Sequence, residues 1–266
     1  MRSLGRVSSL IRILLFFFSF SNLCFSQSNY PHTKAHAHND YEYAQPLWNA
    51  LTNGFVSVEA DVHLTDGRLL VSHARPHRDA PTLQQLYLAP LDSLLKQNGN
   101  KIYPGYEGIF YLMIDCKTEA ESTYRAIQKE VVRYARLLCT TSSCPVKIFV
   151  SGNRAINTMM KEGYQGIALD GRPDDLGKGI SMDLMPVISD HFANWSSWKG
   201  KAEPVEDDLA RIRELAERVH AEGKKLRLWA IPDNELTWTA LLDAGVDFIN
   251  TDQLEALHVF LISKGL

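Results

Sequence analysis

The chain has no surplus of positive charge: 28 Lys and Arg stand against 31 Asp and Glu over 266 residues, a formal net charge of -3. Gripping a nucleic acid takes many cationic contacts to phosphates, so DNA or RNA is not an expected partner. Cysteine is scarce, with four residues in all. Cys139 and Cys144 bracket a short polar loop. A disulfide between them and a pair of free thiols both stay open, because spacing alone does not give the Cα separation a bridge needs. No internal repeat or low-complexity tract is present. The sequence also lacks the run of about 20 apolar residues that a bilayer-spanning helix requires. Its strongest apolar run, residues 13–18, follows Arg2, Arg6 and Arg12 and precedes mostly small and polar residues from Ser21 to Ser28. That is the layout of a cleavable signal peptide, expected over residues 1–26, and it implies a secreted or periplasmic, cell-envelope location.

What is present fits one large core: 45% of residues are apolar and 22% charged, a balance that suits a single domain over residues 27–266. Short apolar, β-branched runs (33–38, 55–62, 69–73, 109–116, 146–151, 166–170, 226–231, 248–251) alternate with helical patterns, and 180–189 is a further strand candidate. Several helical stretches stop at glycine, as at Gly163 and Gly245. Alternation of this kind predicts βαβ units, and eight strands in this order predict an α/β fold, a TIM (β/α)8 barrel, over an open parallel sheet.

Catalytic groups of such barrels sit at the C-terminal ends of the strands. The first run ends in His36-Ala37-His38-Asn39-Asp40, the second in Glu59-Ala60-Asp61, the third in His73 and the fourth in Asp115-Cys116-Lys117. Glu59 and Asp61 are two apart on a strand and share one face. With Asp115 they form a candidate oxygen-donor site for one divalent cation, Ca2+ or Mg2+. His38 and His73 would flank that ion as an acid/base pair, which phosphodiester cleavage needs: one group takes a proton from the nucleophile and the other protonates the leaving oxygen. Lys117 would neutralise a phosphate oxygen. His36 shares a face with His38 and would hold phosphate, orient a ligand or pack below the site. Asn39 and Trp229 complete the candidate substrate contacts. The segment Phe192, Trp195, Trp198 would either touch a lipid surface transiently or cover the barrel.

The run Gly54-Phe55-Val56-Ser57-Val58-Glu59-Ala60-Asp61-Val62-His63-Leu64-Thr65-Asp66-Gly67, continuing to His73, resembles the signature of glycerophosphodiester phosphodiesterases, in the superfamily that also holds phosphatidylinositol-specific phospholipases C. The resemblance continues through Asp115-Cys116-Lys117, Trp229 and Asn250-Thr251-Asp252. It implies a metal-dependent phosphoric diester hydrolase with Glu59, Asp61 and Asp115 as ligands and His38 and His73 as the acid/base pair. The substrate would be a small phosphodiester or a lipid head group. The opening departs from the common histidine followed by Arg-Gly: His36-Ala37-His38-Asn39-Asp40-Tyr41 is closer to the fungal altered-inheritance-of-mitochondria proteins and their bacterial relatives. Ala74 stands where an acid often follows the third-strand histidine, and the segment 75–108 is too short for the cap that many relatives place over glycerol. Two rivals remain: an amidohydrolase-type barrel with zinc on His36 and His38, and a non-catalytic phosphate- or inositol-binding barrel.

Overall fold

The computed structural model describes residues 31–138 and 145–266. The expected signal peptide and the Cys139/Cys144 pair lie outside the described residues. Eight parallel strands close into a barrel with helices between them: β1 (His32–Ala37), β2 (Phe55–Thr65), β4 (Phe110–Cys116), β5 (Val146–Gly152), β6 (Ile167–Gly171), β7 (Val187–His191), β8 (Lys225–Trp229) and β9 (Phe248–Thr251). Closure comes where β1 pairs with both β2 and β9. The helices are α1 (Trp48–Thr52), α2 (Ala89–Gln97, preceded by a π turn), α3 (Ala120–Val131), α4 (Ile156–Glu162), α5 (Glu206–Ala221), α6 (Glu235–Asp243) and α7 (Leu254–Lys264).

The expected strand 69–73 is not a barrel stave. It forms β3 (Arg68–Val71), antiparallel to β2 with Thr65 opposite Arg68 and Val62 opposite Val71. The eighth stave is β7, from the region held above only as a further candidate. The physical reason lies in the two-residue loop Asp66-Gly67, whose φ angles are +50° and +75°. Two successive positive φ values make the hairpin turn that matches strand twist, and Asp-Gly is its strong sequence signal. The chain therefore folds straight back after β2, which returns the segment beyond Val71 to the level of Asp61. Ser72 N–H donates to the Asp61 carbonyl at 3.1 Å.

Side chains alternate across each strand. On β2, Val56, Val58, Ala60 and Val62 are buried on the face away from Ser57, Glu59 and Asp61, which are also buried. Each fully buried valine contributes about 1.5–3 kcal/mol by leaving water. Inside the barrel, Tyr111 stacks edge-on against Phe248 and Phe149, at 5.1 and 6.4 Å between centroids. Closer to the strand ends the interior turns polar. Loop ends are stitched by local bonds: Glu119 caps α3 by accepting from the N–H groups of Glu121 and Ser122, an acid at a helix N-terminus. Thr118 Oγ1 accepts from Leu64 N–H at 2.9 Å. These bonds hold the segment carrying Lys117 against β2. Phe192 and Trp198 are buried in the core, and the indole N–H of Trp195 donates to Asp190 at 2.8 Å, so this aromatic segment covers the barrel.

Candidate active site

Register brings the acids together. Asp61 on β2 and Asp115 on β4 are direct Cα partners, and Glu59 lies two residues before Asp61 on the same face. Glu59, Asp61 and Asp115 each offer an oxygen within 4.8 Å of the other two. Asp61 is wholly buried; its Oδ2 accepts from Lys117 Nζ at 2.9 Å and lies 3.1 Å from His73 Nδ1, while its Oδ1 has no partner among the described residues. Burial and the neighbouring Glu59 and Asp61 charges raise the pKa of Asp115, with Lys117 at 3.2 Å opposing. Three carboxylates held this close, one with an orphaned buried oxygen, fit a hard divalent cation. Among the described residues no other cluster offers three such donors, and this one is all oxygen, which leaves the zinc amidohydrolase reading without its histidine set.

Gly152 at the end of β5 is part of this geometry. Its φ is +66°, and a Cβ there would come within 2.2 Å of Asp115 Oδ1 and 2.7 Å of the Cys116 carbonyl oxygen. Only glycine lets β5 pass so near the acid.

Two further histidines each approach a different acid. His38 Nε2 is 4.0 Å from Glu59 Oε2, and its Nδ1 is 2.7 Å from Asp252 Oδ1. An Nδ1–H donated to that carboxylate leaves Nε2 free to exchange a proton. Burial lowers the His38 pKa, but the Asp252 hydrogen bond and the Glu59 charge outweigh it, and the net shift is upward. His73 Nδ1 faces Asp61 and is 3.4 Å from the Tyr41 hydroxyl, with its side chain largely exposed.

The other expected residues take different places. His36 has no exposed surface, so it does not reach substrate. Its Nδ1 is 2.7 Å from Ser57 Oγ and its Nε2 is 3.5 Å from Glu59. Burial, then the Arg227 and His38 charges, holds its pKa well below the usual range, so it packs neutral beneath Glu59. Asn39 adopts a left-handed conformation and accepts from the Tyr41 hydroxyl at 2.7 Å, outside the pocket lining. Lys117 sits between Asp61 and Asp115. Trp229 is 37% exposed at the rim and packs edge-on to His191 at 4.2 Å.

Sequence reasoning passed over several residues. Arg227 is buried within β8, donating to Glu59 at 3.1 Å and to Asn250 at 2.9 Å. A charged residue inside the apolar run Leu226-Arg227-Leu228-Trp229, two before Trp229, was the available signal. Arg172, just after β6, donates to Asp170 at 2.8 Å. Asp252 touches His38 only because closure puts β9 beside β1. Together these walls enclose a pocket of about 450 Å3 that opens onto His38, Glu59, Asp115, Lys117, Arg172 and Trp229.

Comparison with known proteins now decides the family. The model of the AIM6-like phosphodiesterase domain matches residues 25–165, more than half of the chain. The chain belongs to that family. The glycerophosphoryl diester phosphodiesterase family model matches residues 225–255, the stretch with Arg227, Trp229 and Asp252. Altered inheritance of mitochondria protein 6 of Eremothecium gossypii is 29% identical over 86% of this chain and 69% of its own length. The homologue from Arthroderma benhamiae is 28% identical over 83% and 81%. A crystal structure of a glycerophosphodiester phosphodiesterase from Parabacteroides distasonis superposes with a TM-score of 0.57 at 17% identity, covering 89% of this chain. That likeness supports the barrel fold. The AIM6-like family is thus grafted on the same closed barrel, and phosphodiesterase-like chemistry is the function this membership supports.

Proposed function

We propose that this AIM6-like protein is a metal-dependent phosphoric diester hydrolase in which His38 and His73 are the acid/base pair. The observation that carries the reading is the Glu59, Asp61 and Asp115 cluster, with His38 beside Glu59 and His73 against Asp61, and with Glu59, Asp115 and His38 lining one pocket. A Ca2+ or Mg2+ ion held by these carboxylates would supply Lewis-acid stabilisation of the phosphoryl oxygens. The chain's own residues do the rest. His38 exchanges its proton at Nε2, with Asp252 fixing the tautomer. His73, oriented by Asp61 and Tyr41, meets the cluster at Asp61. One imidazole removes a proton from the nucleophile, water or a neighbouring substrate hydroxyl, while the other protonates the leaving oxygen. Arg227 and Lys117 offset the carboxylate charge, and Lys117 is also placed to meet a phosphate oxygen. The substrate is a small phosphodiester or lipid head group, and the chain acts after export directed by residues 1–26.

Turnover of bis(p-nitrophenyl) phosphate with Ca2+, Mg2+ or chelator, in wild type, His38→Ala, His73→Ala and Glu59→Ala, tests the reading. Each histidine change is expected to cost at least about 100-fold, and Glu59→Ala a similar factor through lost metal. Undiminished turnover in His73→Ala, or turnover insensitive to chelator, refutes it; no metal-dependent turnover in wild type favours a non-catalytic binder.

A further inference from the structure

The two walls of the pocket hold their cations differently. On the β2/β4 wall, Glu59, Asp61 and Asp115 face Lys117 and Arg227. Three negative groups against two positive ones leave one negative charge, and a bound divalent cation turns this into one positive charge. A phosphodiester carries a single negative charge and balances it. The contact of His38 with Asp252 adds no excess to this wall when the imidazole is protonated.

The β5/β6 wall is built around Asp170, which is fully buried at the end of β6. Its Oδ2 accepts from Ser151 Oγ at 2.8 Å and from Arg172 Nη1 at 2.8 Å, and its Oδ1 accepts from Ser189 Oγ at 2.6 Å. Arg154 donates to the Asp170 carbonyl, and its buried Nε has no partner. In the turn that follows, Asp175 is matched by Lys178 at 3.0 Å and Asp174 is exposed. Arg172 is therefore the guanidinium that pairs with the Asp170 carboxylate, and Arg154 meets only its main-chain carbonyl.

Part of the Arg172 guanidinium stays unpaired. Arg172 Nη1 is tied to Asp170 and, at 2.7 Å, to the Gly171 carbonyl, which fixes the plane of the guanidinium. No protein acceptor among the described residues takes its Nε and Nη2 donors, while Arg172 lines the pocket with its side chain 30% exposed. The Nε–Nη2 edge is the fork that binds a carboxylate or phosphate at two points.

Resting on the phosphodiesterase reading, we propose that Arg172 is a specificity-determining residue that selects phosphodiesters bearing a second anionic group, a carboxylate or phosphomonoester, on the part of the molecule that reaches the β6 end of the pocket. Lys117 and Arg227 both pair with the metal-binding acids, whereas Arg172 lines the same pocket paired with an acid outside that cluster.

The test uses two substrates that differ by one carboxylate, glycerophosphoserine and glycerophosphoethanolamine, with wild type, Arg172→Gln and Arg172→Lys. Wild type is expected to favour glycerophosphoserine by about tenfold in kcat/KM, expressed in KM, as a charge-assisted contact supports. The ratio should fall to near one in Arg172→Gln and lie between in Arg172→Lys, which keeps the charge but loses the fork. A binding measurement free of turnover runs beside it: calorimetric titration with O-phosphoserine and O-phosphoethanolamine, where wild type should bind phosphoserine more tightly and Arg172→Gln should not discriminate. Equal kcat/KM values for the two substrates in wild type, or a ratio retained in Arg172→Gln, overturns the proposal while leaving hydrolysis of bis(p-nitrophenyl) phosphate, and so the phosphodiesterase reading, intact. If no phosphodiester is cleaved at all, that reading fails, and the binding titration alone decides charge selection at Arg172, with equal affinities overturning it.

Discussion

Replacing Gly152 by alanine tests the acid cluster without touching any of its ligands. The new methyl group would lie 2.2 Å from Asp115 Oδ1 and 2.7 Å from the Cys116 carbonyl oxygen. Ordinary contact begins near 3.4 Å, so Asp115 has to retreat by roughly 1 Å, which is large beside the few tenths of an ångström that a metal–ligand distance tolerates. The clash with the Cys116 carbonyl is not relieved by that retreat, and an alanine at φ +66° adds about 1–2 kcal/mol of left-handed strain. The fold cost is therefore about 2–3 kcal/mol, a fall of roughly 5–10 °C in Tm for a domain of this size. Metal affinity should fall further than stability: about tenfold or more by calorimetric titration of Ca2+ or Mg2+ into folded protein below the new Tm. Unchanged metal affinity in folded Gly152→Ala protein would refute the claim that Asp115 is a ligand held in place by its contact with β5.

Two other perturbations probe the surroundings of the site. Asp252→Ala removes the acceptor of the His38 Nδ1 proton, and kcat is expected to fall about 10- to 100-fold while calorimetric metal affinity stays within twofold; equal kcat would show that the tautomer is set elsewhere. Asp40 is fully buried, with Oδ2 accepting from the Leu47 N–H and, at 2.8 Å, from the Tyr87 hydroxyl, and its Oδ1 unpartnered. Burial raises its pKa from 3.8 to about 6, against the two hydrogen bonds. The folded state thus holds this proton to higher pH than the unfolded chain, so the group's contribution favours folding at low pH and is lost as pH rises from about 4 to 6, by up to about 3 kcal/mol. In urea unfolding at pH 4 to 8, Asp40→Asn should gain on wild type across that window and hold a constant difference above it; a flat difference throughout would sink the assignment.

The residues of β2 show how much was legible. A continuous apolar run interrupted by Glu59 and Asp61 at spacing two announces a buried parallel strand with two acids on one face, because side chains alternate at period two whatever the rest of the chain does. The strand ends, the barrel and the convergence of Asp115 followed from the same local logic, since β2 and β4 are neighbours and Asp61 pairs with Asp115. The hairpin at Asp66-Gly67 was also written locally, but its consequence was not: a run that looked like a stave became an antiparallel return, and β7 took its place in the barrel.

What local pattern did not carry was contact across closure. His36 and His38 look equivalent by periodicity, and only burial separates them: one is sealed under Glu59, the other reaches the pocket and Asp252. Asp252 is 214 residues from His38 along the chain and meets it because β9 completes the barrel beside β1. Arg227 likewise reaches Glu59 from 168 residues away across the lumen. Periodicity fixes the face on which a side chain lies, whereas the partner it meets depends on which strands close on each other and on how much water the closed barrel excludes. The approach of Glu59, Asp61 and Asp115 was thus readable from the sequence; which imidazole is exposed and which cation each acid meets was decided only by tertiary structure.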